Sequence, residues 1–474
     1  MYTFTHPAEK FDECNINKSE IMHLINKHVT IAEKLKEKMD YYQGDHKILD
    51  RHKEGGAPNN KLVCNHAKDI SDTATSYFIG EPITYKSDND ISPLVDALDV
   101  AGADEADGDN GLDLSIYGLA YEYVYAKENS TDLVCKNLSP LNTFMVYDDT
   151  IEQNELFAVY YYRKKDDTDQ HPSRYIATVL TRNYKYVLNI VDSEEPQSTE
   201  EEPEPHYNGE VPIIEYRNNK LGIGDFELQI PLIDAYNAIM SDRVNDKEQF
   251  IDSILAIYGV LLADPDAEDP DAPDSKDTMS GGQAAMRRLK RDKLLEMPDE
   301  GSRAEYLTHT FDESGVEILR KAIEQDIHKF SHIPCMTDEA FGGNVSGVAM
   351  EFKLLGMENI TKIKTRYYKK GIRKRLRIFK NWLEIKGTNV DITGIKPVFT
   401  RCMPKNLLEI SQWVANLWGK VSKKTLLSQI PFVDNVEEEL AAVEKEEEET
   451  VERQKKVFGN RPNTPVEDGS DDEA

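Results

Sequence analysis

The sequence predicts an α+β chain of several domains, and three observations carry that prediction. Its 474 residues exceed what one hydrophobic core organises, which suggests two to four domains. Segments with apolar residues three or four apart stand beside segments whose apolar residues alternate, so both periods are present. The two kinds are grouped rather than interleaved: helix first, then a block of strands, then mostly helix.

Residues 18–42, KSEIMHLINKHVTIAEKLKEKMDYY, have helical spacing throughout. The turn-rich DRHKEGGAPNNK follows, and NHAKDISDTATSYFIG then reads as a helix stopped at Gly80. EPITYKSD reads as a short strand. SIYGLAYEYVYAKE, ELFAVYYYRKK and RYIATVLTRNYKYVLNIV are aromatic and β-branched, so 115–216 is predicted to be mostly sheet. The acid- and proline-rich VDSEEPQSTEEEPEP interrupts it and is expected to lie in solvent.

From Leu221 the pattern changes. Asp225 is a candidate helix cap, and Leu228, Leu232, Ala235, Ile239, Arg243 and Asp246 step by three or four, with Pro231 tolerated near the first turn. SILAIYGVLL reads as a strand, DPDAEDPDAPDSKDTMSGGQ as a mobile loop, and KLLEMPDE and AEYLTH as short strands. DESGVEILRKAIEQDIHKFSHI predicts a second helix with Val316, Leu319, Ile323, Ile327 and Phe330 on its apolar stripe. After Pro334 comes a loop with three glycines, CMTDEAFGGNVSGVAM, and then one long helix from Glu351 to about Lys386. PKNLLEISQWVANLWGKVSKKTLLSQI and VEEELAAVEKEEEETVERQKK are helical, and the tail ending EDGSDDEA is expected to be disordered.

Several function classes find no support. There is no GxxxxGK[ST]; the glycines of FGGNVSG lack the lysine and preceding strand of a phosphate loop. HExxH, GxSxG and a GxGxxG after a strand are absent. Cys14, Cys64, Cys135, Cys335 and Cys402 form no CxxC or zinc spacing, and His328 with His332 lacks a third ligand. The expectation is therefore a protein without catalytic residues, cofactor or metal. No run of eighteen apolar residues and no signal-like N-terminus occurs, so synthesis in the cytoplasm and no membrane association are expected.

The charge distribution is uneven. Against a formal net charge of −30, the stretch TKIKTRYYKKGIRKRLRIFK (361–380) holds ten Lys/Arg and no acid. On a helix, Lys362, Arg366, Lys369, Arg373, Arg377 and Lys380 share one side, beside an apolar stripe of Ile363, Tyr367, Ile372, Leu376, Phe379 and Leu383. Such a face is solvated, or pairs with acids of the same or a neighbouring chain, or meets nucleic acid. So negative a chain is a poor non-specific DNA binder.

The order of segments, with NKLVCNHAKDISDTATSYFIGEPITY, SIYGLAYEYVY, VPIIEYRNNKLGIGDFELQIPLIDAYNAIMSDRVNDKEQFIDSILAIYG and FGGNVSGVAMEFKLLGMEN, resembles the portal proteins of long-tailed phages of Gram-positive hosts, over about residues 18–424. The resemblance implies a portal fold: wing (1–224), first stem helix (225–252), clip (253–308), second stem helix (309–332), tunnel loop (333–347), long wing helix and strand (348–400), crown (401–450) and acidic tail (451–474). It implies a homo-oligomeric ring, usually of twelve, at one capsid vertex, through which double-stranded DNA is packaged and ejected. The partners it implies are the terminase large subunit, the head–tail adaptor, scaffold and major capsid protein, after assembly in the host cytoplasm. Phe341, Gly342, Gly343, Asn344, Val345, Ser346 and Gly347 would meet DNA. Arg287, Arg288, Lys290, Arg291 and Lys293 would lie on the clip's docking surface. The basic helix face would serve a subunit interface or a secondary DNA contact. The alternative is a non-ring packaging factor that binds nucleic acid through 361–380. In that case Glu at Arg373, Arg375 and Arg377 collapses DNA affinity; in a portal it damages ring assembly.

Overall fold

The computed structural model describes residues 3–53, 58–127, 130–164, 174–191, 202–251, 254–258, 303–307, 313–336, 347–401, 407–427, 430, 433 and 436–458. The chain divides into two compact units, Met1–Cys335 with Gly356–Arg401, and Met336–Leu355 with Cys402–Ala474.

In the first unit, helix α1 (Lys18–Gln43) starts where the Asn17 side chain accepts the Ser19 amide and stops at Gly44 in the left-handed conformation. Helix α2 (His66–Ile79) ends at Gly80 as the sequence predicts, although that glycine keeps a right-handed helical backbone. Two helices carried no sequence signal, α3 (Ser92–Val100) and α4 (Ala103–Tyr117). The second holds two glycines and four aspartates, poor helix formers, and exists because Ala106, Leu114 and Tyr117 are buried. It also takes the SIY of SIYGLAYEYVY out of the predicted strand.

The strand block forms two sheets. Strands β1 (Phe4–His6), β5 (Thr143–Asp148), β6 (Glu155–Arg163), β7 (Arg174–Leu180), β8 (Tyr184–Val191) and β9 (Glu204–Pro205) lie in that order. The β1–β5 pair is parallel and the rest antiparallel. One face packs on α1 through Ile21, Leu24, Ile25, Phe144, Val159 and Leu188. The second sheet has the order β10 (Ile213–Arg217), β3 (Leu119–Ala126), β4 (Leu133–Leu138). Its alternation points Ala120, Glu122 and Val124 one way and Tyr121 and Tyr123 the other. Tyr121 joins Met145, Ala158 and Ile213 where the sheets meet.

Gly118, at φ +83°, makes the turn from α4 into β3; a Cβ there would lie 2.3 Å from the Gly222 carbonyl oxygen. Asp225 does not cap the following helix. Its carboxylate takes Asn218 Nδ2 and Lys364 Nζ instead. Helix α5 (Ile230–Ile251) has Pro231 in its first turn. Strands β11 (Ile254–Tyr258) and β12 (Arg303–Leu307) pair antiparallel, from the predicted SILAIYG and AEYLTH. Helix α6 (Glu313–Ser331) packs on α5: Arg243 reaches Glu317 at 2.8 Å, and Arg320 donates to the Tyr236 hydroxyl at 2.8 Å. Of its predicted stripe Ile327 is buried, but Leu319 and Phe330 are about half exposed. Ion pairs from Arg243 and Lys247 to Glu313 and Glu317 carry part of the contact instead.

Helix α7 (Gly347–Ile385) has 39 residues, about 58 Å at the α-helical rise. From Gly356 on it belongs to the first unit, where it packs against α4 and the second sheet through Tyr368, Ile372, Leu376, Phe379 and Leu383. The predicted stripe splits: Ile372, Leu376, Phe379 and Leu383 are buried with Tyr368, which the prediction left out, whereas Ile363 (45% exposed) and half-buried Tyr367 fall on the other side of the helix, because sixteen residues from Ile363 to Phe379 turn it by about 160°. A Cβ at Gly371 would come within 2.3 Å of the Tyr216 ring, so glycine there lets that ring lie on the helix. Strands β2 (Thr84–Lys86) and β13 (Lys396–Val398) pair antiparallel.

The second unit contains the start of α7, α8 (Leu407–Leu417), α9 (Lys423–Leu427) and α10 (Val436–Phe458). Expectations for VDSEEPQSTEEEPEP up to residue 201, the mobile loop, KLLEMPDE and the tail from residue 459 fall outside the described residues.

Candidate functional site: the basic helix and its partners

The ten cations of 361–380 sort by burial into two groups. Lys364, Lys374 and Arg375 point inward. Lys364 meets Asp225 at 2.7 Å, with both side chains 6% exposed or less, and stands over the Phe78 ring. Lys374 pairs with Glu155 and donates to the Ile213 carbonyl at 2.7 Å. Burial pulls its ammonium below the ordinary lysine range, against the opposing pull of Glu155.

Arg375 is the most enclosed. Its guanidinium grips Asp107 on α4 through Nη1 (2.9 Å) and Nη2, and Glu122 on β3 through Nε (3.1 Å) and Nη2 (2.6 Å). Tyr216 donates to Glu122 at 2.6 Å, Tyr368 donates to Asp107, and the two rings stack 4.3 Å apart. Burial works against the charged guanidinium, but Asp107 and Glu122 outweigh it and hold Arg375 well above its usual range. Burial likewise pushes Asp107 up, against the pull of Arg375. The cluster joins α4, β3, β10 and α7 in one buried network. Arg375 therefore does not act with Arg373 and Arg377; a Glu there breaks the core, and the three-arginine exchange cannot separate assembly from DNA binding.

The outward group is the predicted face with one addition, Lys370, which the prediction left out. Arg377 pairs with Glu210 of the same chain, and that partner holds it above the ordinary range. Lys362 and Lys380 pair along the helix with Glu358 (3.6 Å) and Glu384 (3.2 Å). Lys369 stands over the Phe399 ring at 5.7 Å. Arg366, Lys370 and Arg373 are exposed and make no ion pair among the described residues. So much of the expected acid pairing happens inside the chain, and the open charge narrows to three cations at i, i+4 and i+7.

Of the other candidates, Phe341, Gly342, Gly343, Asn344, Val345 and Ser346 lie outside the described residues, and Gly347 opens α7. Arg287, Arg288, Lys290, Arg291 and Lys293 also lie outside them. His328 and His332 are not a helical pair, because the helix ends at Ser331 and His332 has φ +59°. His328 Nδ1 lies 3.1 Å from the Ile333 carbonyl oxygen.

A polar ladder on α5 lies outside the residues that the sequence patterns single out. Buried Asn237, Ser241 and Asn245, four apart on α5, accept the amides of Cys64 (2.8 Å), Leu62 (2.9 Å) and Asn60 (2.7 Å). The extended segment bonds to side chains of a helix as it would to a strand. The signal was an i, i+4, i+8 row of small polar residues inside a helical pattern.

Comparison with known proteins places the chain among phage portal proteins. It belongs to the family described as "Phage portal protein, SPP1 Gp6-like", whose profile matches residues 21–453. The portal protein of Bacillus phage SPP1 is 26% identical over 420 residues, 84% of this chain and 78% of that one. The portal protein of Clostridium phage phiCD119 is 25% identical over 239 residues, 49% of this chain and 48% of its own. A neck of a native gene transfer agent particle is 10% identical, with a TM-score of 0.44 over 79% of this chain and 96% of that one. No described helix is long and apolar enough to cross a membrane.

Proposed function

We propose that the chain assembles into a closed ring of twelve copies at one capsid vertex and conducts double-stranded DNA without catalysing a reaction. The observation that carries this is the portal-family match across residues 21–453. Two physical features support it. Ile318 (71% exposed) and Leu319 (51%) on α6, with Leu228 (70%) just before α5, are apolar surface that a neighbouring copy would cover. A chain of net charge −30 lets a polyanion pass without trapping it.

In this reading α5 and α6 are the stem, the terminase large subunit and later the head–tail adaptor dock on the clip at 253–308, and DNA meets the loop at 333–347. Scaffold and major capsid protein surround the ring, which is built in the host cytoplasm and kept in the virion. Electron microscopy of the purified protein is expected to find closed rings with a central hole. Monomers or dimers under all conditions would overturn the proposal.

The three open cations sustain one other reading, a packaging factor that binds phosphate through Arg366, Lys370 and Arg373 without forming a ring. It requires salt-sensitive DNA affinity that disappears when those three become Glu.

A further inference from the structure

The open cations have a counterpart elsewhere on the same unit. Between α3 and the end of α7 lies a groove of about 250 Å³, lined by Ala97, Val100, Leu133, Phe379 and Trp382. It is apolar, and Val100 is 67% exposed. Asp96 lines it and Asp99 lies one turn along α3; both are exposed, and neither makes an ion pair among the described residues. The far end is closed by the Lys386–Asp132 pair at 3.0 Å.

The stripe that would fill it is also mixed. Ile363, 45% exposed, and half-buried Tyr367 lie beside exposed Arg366, Lys370 and Arg373. An apolar groove edged by free acids thus matches an apolar stripe edged by free cations. Their placement decides what kind of contact they can make. Ile363 and Phe379 are sixteen residues apart on one helix, which puts them about 160° apart around its axis. Stripe and groove therefore face opposite ways. A chain cannot close them on itself, but each copy can offer its stripe to the next copy's groove, the head-to-tail contact that builds a ring.

We infer that the groove between α3 and α7 receives the Ile363–Arg366–Lys370–Arg373 stripe of the next copy, with Ile363 as apolar filling and Asp96 and Asp99 facing the cations. This rests on the ring reading and names the surfaces that would close it.

Two charge-reversed proteins test it. One carries Arg366→Glu, Lys370→Glu and Arg373→Glu; the other carries Asp96→Lys and Asp99→Lys. Each alone sets like charges face to face, and its ring fraction is expected to fall by roughly tenfold or more. Mixed in equal amounts, the two can alternate around a ring so that every contact is again opposite in charge, and rings are expected to return. Rings from either protein alone at the wild-type level overturn the inference. So does a mixture that stays unassembled while both proteins melt like the wild type. If a protein fails to fold, the single exchanges Arg366→Glu and Asp96→Lys are mixed instead, with the same two outcomes. Absence of rings from the wild type overturns the ring reading itself, a separate result.

Discussion

Arg375 and Arg373 are two residues apart and of the same type, yet burial gives them opposite consequences. Arg375 has no exposed side-chain surface and holds Asp107 and Glu122, themselves buried. Arg375→Leu leaves two carboxylates facing each other in the core and is expected to cost about 3–5 kcal/mol. Arg373→Leu removes a solvated charge and is expected to stay within about 0.5 kcal/mol. Urea denaturation of the two variants measures the difference; equal midpoints would remove the buried cluster's role. His28 supplies a pH dependence at the same scale. It is packed against Phe144 and bonded to the Tyr161 hydroxyl, and burial draws it down to about 4 despite an opposing carbonyl at Pro140. Below pH 6.5 the unfolded chain binds the proton that the folded chain refuses until about pH 4. Stability is therefore lost as pH falls through that window, by roughly 3 kcal/mol from this one residue. His28→Phe is expected to flatten that part of the stability–pH curve; an unchanged curve assigns it elsewhere.

The elements differ in how far sequence spacing exposes them. Helices α1, α2 and α7 repeat apolar residues over several turns, and strands β6 to β8 are dense in aromatic and β-branched residues, so both kinds of element are readable from the sequence. Helix α4 is not, because ADEADGDNGLDLSIY buries Asp107 and Asn110 alongside Ala106, Leu114 and Tyr117, and the polar members interrupt the apolar spacing. The inward–outward division of the basic stretch is equally hidden. A helical wheel places charges by angle, but the depth of each depends on Asp225, Glu155 and Glu122, which are between 139 and 253 residues away in the chain. The α5 ladder belongs with these, since its partners at 60–64 follow no pattern of their own. Asn237→Ala, Ser241→Ala and Asn245→Ala each strand a backbone amide, and each is expected to cost about 1–2 kcal/mol. Hydrogen exchange at Cys64, Leu62 and Asn60 reads the loss position by position. Exchange that speeds equally at all three in every variant would mean the segment is held as one body by something else.

At the scale of the whole molecule, charge sets a problem that any ring must solve. Each copy carries −30, and the buried pairs do nothing to lower that total. Neighbours in a ring repel through their whole surfaces, across distances of tens of ångströms. The contacts proposed to hold them offer a few rim ion pairs of about 0.2–1 kcal/mol each, together with the apolar surface of α6 and the α3–α7 groove. Salt acts on the two unequally. Raising it from about 10 mM to 150 mM shortens the screening length from roughly 30 to 8 Å. Repulsion between whole surfaces is then largely screened, while apolar contacts persist and ion pairs closer than the screening length keep part of their strength. The magnitudes favour assembly: the ring fraction is expected to rise with salt across that range, as read by sedimentation velocity at fixed protein concentration. A ring fraction that falls steadily from the lowest salt would mean that the cation stripe, rather than apolar surface, supplies most of the association energy. Arg366, Lys370 and Arg373 would then hold the ring together in place of Ile318, Leu319 and Val100.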